Sequence, residues 1–249
     1  MKSRFKTFQW DVVSANKTAT LPGPSLILTK AVSLKTVLYC STRTDLAPIC
    51  LDSEATVMIA GVEKTRLISR DGAWRYLRLS LDSMMKLCAF LDQGAGVDAQ
   101  AQTSKDLVAV RLPEGITSKN LEPWLIGAVL SGDPRVQPLL QVMRGFEPYR
   151  LVRFLLSEHG QVKSVAALGE RYGLSKSHFN RLCRQVLGNG VKHELRLWRA
   201  TEAMLQVFER QEAMTVIAYE HGFSSSSHFS REIKQLFGVS PRRFHARID

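Results

Sequence analysis

The chain has 249 residues, 45% of them hydrophobic and 23% charged, which excludes a disordered tail and leaves room for two ordinary domains. The formal net charge is +11. The excess is denser from Leu151 onward, where 15 Lys and Arg stand against 9 Asp and Glu, as a phosphate-binding surface requires.

Residues 1 to about 81 are predicted to be rich in β-strands. Short β-prone runs at Ser25–Leu28, Val37–Cys40 and Ala55–Ala60 are separated by Gly, Pro, Asp and Ser. The segment Trp74–Leu81 partly alternates apolar and polar residues, which favours a further strand.

The next fifty or so residues are predicted to form two helices, with a loop and a strand between them. A helix capped by Asp82 or Ser83 is predicted from an apolar stripe at helical spacing: Met84, Leu87, Cys88 and Leu91. The polar segment 94–105 predicts a loop, and 108–112 a strand. A last helix of this half runs from Leu121 to a stop near Gly132.

This half carries no motif of catalysis or cofactor binding. All six histidines lie at or beyond His159, and neither a Gly-rich phosphate loop nor a nucleophile elbow occurs. The cysteines, which are Cys40, Cys50, Cys88 and Cys183, form no Cys-x-x-Cys pair. We expect reduced thiols, no metal, no cofactor and no catalytic residue. No apolar run approaches the ~20 residues of a membrane span, and no signal peptide is evident, so we expect a protein that stays inside the cell.

Gly145–Pro148 is the predicted hinge between a regulatory domain, 1–145, and a C-terminal domain, 146–249. Pro148 suits the first turn of a helix whose apolar side holds Tyr149, Val152, Leu155 and Leu156. The class expected is therefore α+β: a mixed, β-rich N-terminal domain followed by an all-α domain.

The C-terminal domain contains a repeat. Lys176–Gly188 returns fifty residues later as Ser226–Gly238, and each copy follows a short helical run and a tight turn. This predicts two helix-turn-helix units, 164–187 and 214–237, with Ser164 as the cap of the first. The connecting helix, 191–210, is close to 30 Å long at ~1.5 Å per residue, comparable with the ~34 Å between major-groove segments on one face of DNA.

Each repeated helix has one apolar and one polar face. The polar faces match in chemistry, with Ser177, Asn180, Arg181 and Arg184 in the first copy and Ser227, Ser230, Arg231 and Lys234 in the second. Such side chains read base edges and phosphates, so we expect DNA binding. Glu232 falls where the first copy has Leu182, which predicts a narrower apolar stripe in the second copy.

The last hundred residues resemble the DNA-binding domain of the AraC family of bacterial transcription regulators. The segments that carry the resemblance are Ile217–Phe223, His228–Arg231, Gly238–Pro241 and the pair Arg199 and Ala203. By resemblance, bases face Ser177, Asn180, Arg181, Ser227, Ser230 and Arg231, and phosphates are contacted by Lys176, His178, Arg184, His228 and Lys234.

The segments Leu168–Gly173 and Glu194–Arg199 resemble the branch that activates type III secretion genes. That branch implies a cytoplasmic, nucleoid-associated bacterial activator. Its implied partners are promoter DNA, RNA polymerase and a type III secretion chaperone that acts as coactivator. Two alternatives are open: an N-terminal domain that senses a small molecule, and an enzyme with an activated cysteine fused to a DNA-binding module.

Overall fold

The computed structural model describes residues 9–43, 46–97, 105–158, 164–209, 212–241 and 243. The chain forms two compact units, Met1–Arg153 and Phe154–Asp249. The expected class is confirmed, because the strands all lie in the first unit and the second unit is helical in its described part. The division between the two units falls within the helix Glu147–Ser157.

The first unit contains a two-sheet sandwich. Its strands are β1 (Asp11–Val13), β2 (Thr18–Leu21), β3 (Ser25–Ala31), β4 (Lys35–Ser41), β5 (Leu46–Asp52), β6 (Val57–Gly61), β7 (Thr65–Ser69), β8 (Trp74–Arg78) and β9 (Leu107–Arg111). One antiparallel sheet has the order β1-β8-β3-β6-β9 and the other β2-β7-β4-β5. Side chains from both sheets, among them Leu38, Leu67 and Trp74, form the buried core.

The helices of the first unit are α1 (Leu81–Gly94), α2 (Leu121–Leu130) and α3 (Gln137–Arg144), with a 3-10 turn at Pro134–Val136. Helix α3 contacts β6 and β9. All five residues of β6 are buried, because the sheet that contains it is covered on both faces. Helix α4 (Glu147–Ser157) carries Pro148 in its first turn, as predicted.

The second unit continues with α5 (Val165–Arg171), α6 (Lys176–Leu187), α7 (Val191–Glu209), α8 (Met214–Glu220) and α9 (Ser226–Phe237). The pairs α5–α6 and α8–α9 each pack together, and α7 contacts α6, α8 and α9. The long helix α7 therefore lies between the two repeated pairs and contacts the second helix of each, α6 and α9, which we call the recognition helices.

Several local predictions need correction. Helix α1 begins at Leu81 with Ser80 in the cap position, so the predicted caps Asp82 and Ser83 are wrong; both lie within its first turn. Of the predicted loop 94–105, residues 98–104 lie outside the described part. The sequence patterns did not identify β1, β2, β5, β7 or α3. Strand β5 contains Pro48, which is tolerated because β5 lies at a sheet edge.

Candidate nucleic-acid interface

The two repeated helices begin and end in the same way. In α6, the Oγ of Ser175 accepts a hydrogen bond from the backbone N–H of His178 at 3.4 Å, and in α9 Ser225 does the same for His228 at 3.0 Å. Gly188 and Gly238 then end the helices with φ of 75° and 80°, a left-handed conformation that favours glycine. The matching glycines in the repeat thus fix where each helix stops.

An aromatic cluster holds α6 in place. The ring of Tyr172 lies 4.8 Å from Phe154 and 5.8 Å from Phe179, measured between centroids. Gly169 allows α5 to approach closely, since a Cβ at this position would lie 3.1 Å from the Cβ of Phe179. The first recognition helix therefore packs here on the aromatic rings of Phe154 and Tyr172.

The second recognition helix is held differently. Phe229 is fully buried against Phe223, with ring centroids 5.0 Å apart, and the guanidinium of Arg199 lies 4.6 Å above the Phe223 ring. Glu232 is also buried, so this position belongs to the packed face of α9 although its side chain is charged. The Nε of Arg196 donates to its carboxylate at 2.8 Å, so an ion pair replaces the leucine found in the first copy.

This carboxylate stays charged. Burial acts to raise the pKa of Glu232, but hydrogen bonding and the charges of Arg196, Arg199 and His228 lower it further, so it lies below its usual value. His228 is tied into the same network: its Nε2 lies 3.3 Å from Glu232 Oε2, and its Nδ1 lies 3.1 Å from the Oγ of Ser224. Both ring nitrogens have neighbours within the protein.

The predicted base-facing residues of the first helix-turn-helix lie together at the surface. Ser177 and Arg181 are exposed and Asn180 is half-buried. With Arg184 and Gln185 they line an open hollow of about 640 Å³. In the second helix-turn-helix, Ser227 and Arg231 are exposed and Ser230 is half-buried. The two serines line a smaller hollow of about 400 Å³ with Met214, Thr215 and Ser226.

The predicted phosphate contacts are less evenly distributed. Lys176, His178, Arg184 and Lys234 are exposed, whereas His228 is half-buried. Lys176 and Arg184 line a hollow of about 350 Å³ that also includes Lys192 at the first turn of α7. Sequence reasoning missed Lys192 because it was assigned only to the connecting helix. The first helix-turn-helix therefore has three cationic side chains around one hollow, two on α6 and one at the start of α7. The hollow beside α9 is lined by hydroxyl groups and a methionine.

Three of the four cysteines are buried thiols. Burial raises the pKa of Cys40 and Cys88 to about 12 and that of Cys183 to about 11, so these thiols stay protonated near neutral pH. Within the described ranges, no group of three or more His, Cys, Asp and Glu side chains is placed to hold a metal ion. None of the described helices is long and apolar enough to cross a bilayer.

Comparisons with known proteins agree with this geometry. Residues 168–247 match the family model described as a helix-turn-helix domain. The chain is 36% identical to the invasion protein InvF of Salmonella typhimurium over 198 residues, 78% of this chain and 90% of InvF. It is 32% identical to the transcriptional regulator MxiE of Shigella flexneri over 174 residues, 67% of this chain and 83% of MxiE. A crystal structure of fatty-acid-bound ToxT from Vibrio cholerae aligns over 98% of this chain and 96% of its own at 12% identity, with a TM-score of 0.38, too low to transfer its ligand.

Proposed function

The chain belongs to the AraC family of bacterial helix-turn-helix transcription regulators, in the branch of the type III secretion activators, and from that premise we propose that it activates secretion or effector genes. It would do so from the cytoplasm, on nucleoid DNA, with RNA polymerase at the same promoter. The observation that carries the proposal is the pair of matched polar faces on α6 and α9, both at the surface of one helical unit.

In this proposal α6 and α9 enter successive major grooves. Helix α7 has 19 residues and is therefore ~28 Å long, close to the ~34 Å between groove segments on one face of the duplex. One chain could then contact two half-sites with a single rigid connection.

Arg181 and Arg231 are the proposed guanine readers, because a guanidinium pairs with two acceptors on the guanine edge. Asn180 is the proposed adenine reader, and no amide stands at the matching position of α9, where Ser230 lies. Ser177, Ser227 and Ser230 have short side chains, so their contacts are proposed to run to phosphates or through water. The second half-site should therefore tolerate more sequence variation than the first.

The proposed phosphate contacts are Lys176, Arg184 and Lys192 in and next to the first helix-turn-helix, and Lys234 in the second. His178 remains a proposed contact of the first unit. His228 is the weakest of the proposed phosphate contacts, because a phosphate would compete with Glu232 and Ser224 for its ring nitrogens.

Substituting Lys192 by Gln tests the contact that the sequence missed. Each phosphate contact releases counterions, so the slope of log affinity against log salt concentration should become shallower by about one. Preference among base sequences should not change. Lys64→Gln, at an exposed position in the N-terminal unit, is the matched control and should leave the slope unaltered. An unchanged slope for Lys192→Gln would remove it from the interface.

We further propose that the N-terminal unit receives a protein coactivator, a type III secretion chaperone, and not a metabolite. The core of its sandwich is packed with apolar side chains, among them Leu38, Leu67 and Trp74, which are fully buried. The outer face of the four-stranded sheet instead presents apolar groups to solvent: Leu46 is 71% and Tyr39 36% exposed. Arg66 lies exposed on the same face, and Arg70 stacks over Tyr39 at 5.7 Å. An apolar surface bordered by acidic side chains would complement it.

A reconstituted transcription assay tests the coactivator. Purified regulator, RNA polymerase and promoter should give little transcript until the purified chaperone is added. Cys50 is an exposed thiol on the proposed face, whereas the other three cysteines are buried, so its alkylation should slow when the chaperone binds. Full activity with regulator alone, or rescue by a dialysable cell extract, would contradict this proposal and favour a small-molecule sensor.

A further inference from the structure

A buried carboxylate joins the second recognition helix to the connecting helix. Glu232 on α9 is 5% exposed. Its Oε1 accepts from Nε of Arg196 at 2.8 Å and lies 3.5 Å from a terminal nitrogen of Arg199, one turn further along α7. Its Oε2 lies 3.3 Å from Nε2 of His228, in the first turn of α9. One carboxylate therefore contacts two turns of α7 and the start of its own helix.

The first recognition helix lacks this connection. Leu182 occupies the matching position on α6 and is half-buried, and an apolar side chain cannot accept a hydrogen bond from α7. A polar contact with α7 in this copy lies beyond the end of the helix, where Asn189 donates to the buried Glu194 at 3.1 Å. Apolar contacts are non-directional, whereas charge-assisted hydrogen bonds fix both distance and angle. At this matched position, therefore, directional contacts join the middle of α9 to α7, whereas α6 has an apolar side chain.

We propose that Glu232 is a positioning residue that fixes the rotation of α9 on α7, and that it thereby sets how strictly the protein measures the spacing between its two half-sites. The inference rests on the proposed binding of both helices to DNA. Without Glu232, Phe229 and Ile233 still bury the same face of α9, so the unit keeps its fold and loses the angular constraint.

The substitution Glu232→Leu copies the first unit and is the principal test. Removing one partner of a buried ion pair usually costs stability, but the loss should be small here because Arg196 is 44% exposed and Arg199 is 31% exposed, so both guanidinium groups can reach solvent. The probe is a promoter fragment on which the wild-type protein protects two half-sites, together with versions that carry one base pair more or fewer between them. One base pair shifts a half-site by ~3.4 Å and about 35° around the duplex.

We expect the wild-type protein to lose about 30-fold in affinity when the spacing changes by one base pair, and Glu232→Leu about threefold. Arg196→Leu should relax the spacing requirement less than Glu232→Leu, because Arg199 and His228 still contact the carboxylate. The double variant should match Glu232→Leu alone, since Arg196 contacts α9 through Glu232. Lys234→Gln is the control on the same helix: it should alter the salt slope and keep strict spacing. Circular dichroism and melting temperature report whether each variant is folded.

The possible outcomes separate the two proposals. If the wild-type protein does not protect two half-sites, the proposed DNA-binding mode fails. If it does, and Glu232→Leu keeps the wild-type spacing requirement, the role of Glu232 is refuted. Should the leucine variant not fold, Glu232→Gln decides the matter, since it keeps the side-chain shape and lacks the charge. Relaxed spacing in this variant supports the role, and strict spacing refutes it.

Discussion

Asp92→Ala is expected to lower the free energy of unfolding of the N-terminal unit by about 3–5 kcal/mol. Asp92 is 2% exposed and accepts two hydrogen bonds from Arg144, both at 2.8 Å, and one from the hydroxyl of Tyr149 at 2.7 Å. The three residues lie on α1, α3 and α4. Removing the carboxylate leaves the guanidinium of Arg144 buried without its counter-charge, which costs more than the pair itself contributes.

Urea unfolding of the full chain measures this loss. Arg150→Gln is the matched control, because its pair with Glu147 lies at the surface, where Arg150 is 61% exposed, and should contribute less than about 1 kcal/mol. An Asp92→Ala variant as stable as the control would show that the buried pair does not stabilise this unit.

The same pair makes stability depend on pH. Burial acts to raise the pKa of Asp92, but the hydrogen bonds from Arg144 and Tyr149 and the charge of Arg144 lower it further, so the folded value lies below the unfolded one. A carboxyl of this kind stabilises the fold above the unfolded pKa of ~3.9, and the contribution is lost as the pH falls through the folded pKa. Asp92→Ala should therefore show a weaker loss of stability below about pH 4 than the wild-type protein.

Phe229→Ala is the second substitution with a large expected effect, about 3–5 kcal/mol in the helical unit. The side chain is fully buried and packs on Phe223 and the residues of α7 and α8 that form the same core. Removing its ring leaves a cavity under the second recognition helix. Protection of the second half-site should be lost first, while α6 keeps its own aromatic support.

Footprinting measures the protection of the two half-sites, and unfolding followed by circular dichroism measures the loss of stability. Phe90→Ala is the control of like chemistry, since Phe90 is 41% exposed in the other unit and should lose far less stability. Equal protection of both half-sites by Phe229→Ala would mean that the core of the second unit does not position α9.

The recognition helices could be predicted because their information is local. Apolar residues at helical spacing, a serine cap and a closing glycine all lie within fifteen residues of each other in both copies. Strands β3, β4, β6 and β8 were also identified, since apolar β-prone runs are read within a few residues. Strand β5 was not, because Pro48 argues against a strand until the sheet edge is known.

The features that the sequence did not reveal depend on distant partners. Glu232 was read as a break in an apolar stripe, because Arg196 and Arg199 lie 36 and 33 residues away in the chain. Asp92 has its partner Arg144 at a separation of 52 residues. Lys192 joined the phosphate-binding group only once the start of α7 was seen beside α6. Burial of charge is a property of the assembled unit, and no local pattern encodes it.

The most direct test of tandem reading by α6 and α9 is the base preference of Arg181→Ala and Arg231→Ala. Each variant should bind the promoter more weakly by about 1–3 kcal/mol, measured against operators substituted at every position. The loss of preference should be confined to one patch for each variant, and the two patches should lie about one helical turn apart. If neither substitution alters the sequence preference, the polar faces of α6 and α9 do not read DNA, and the account is contradicted.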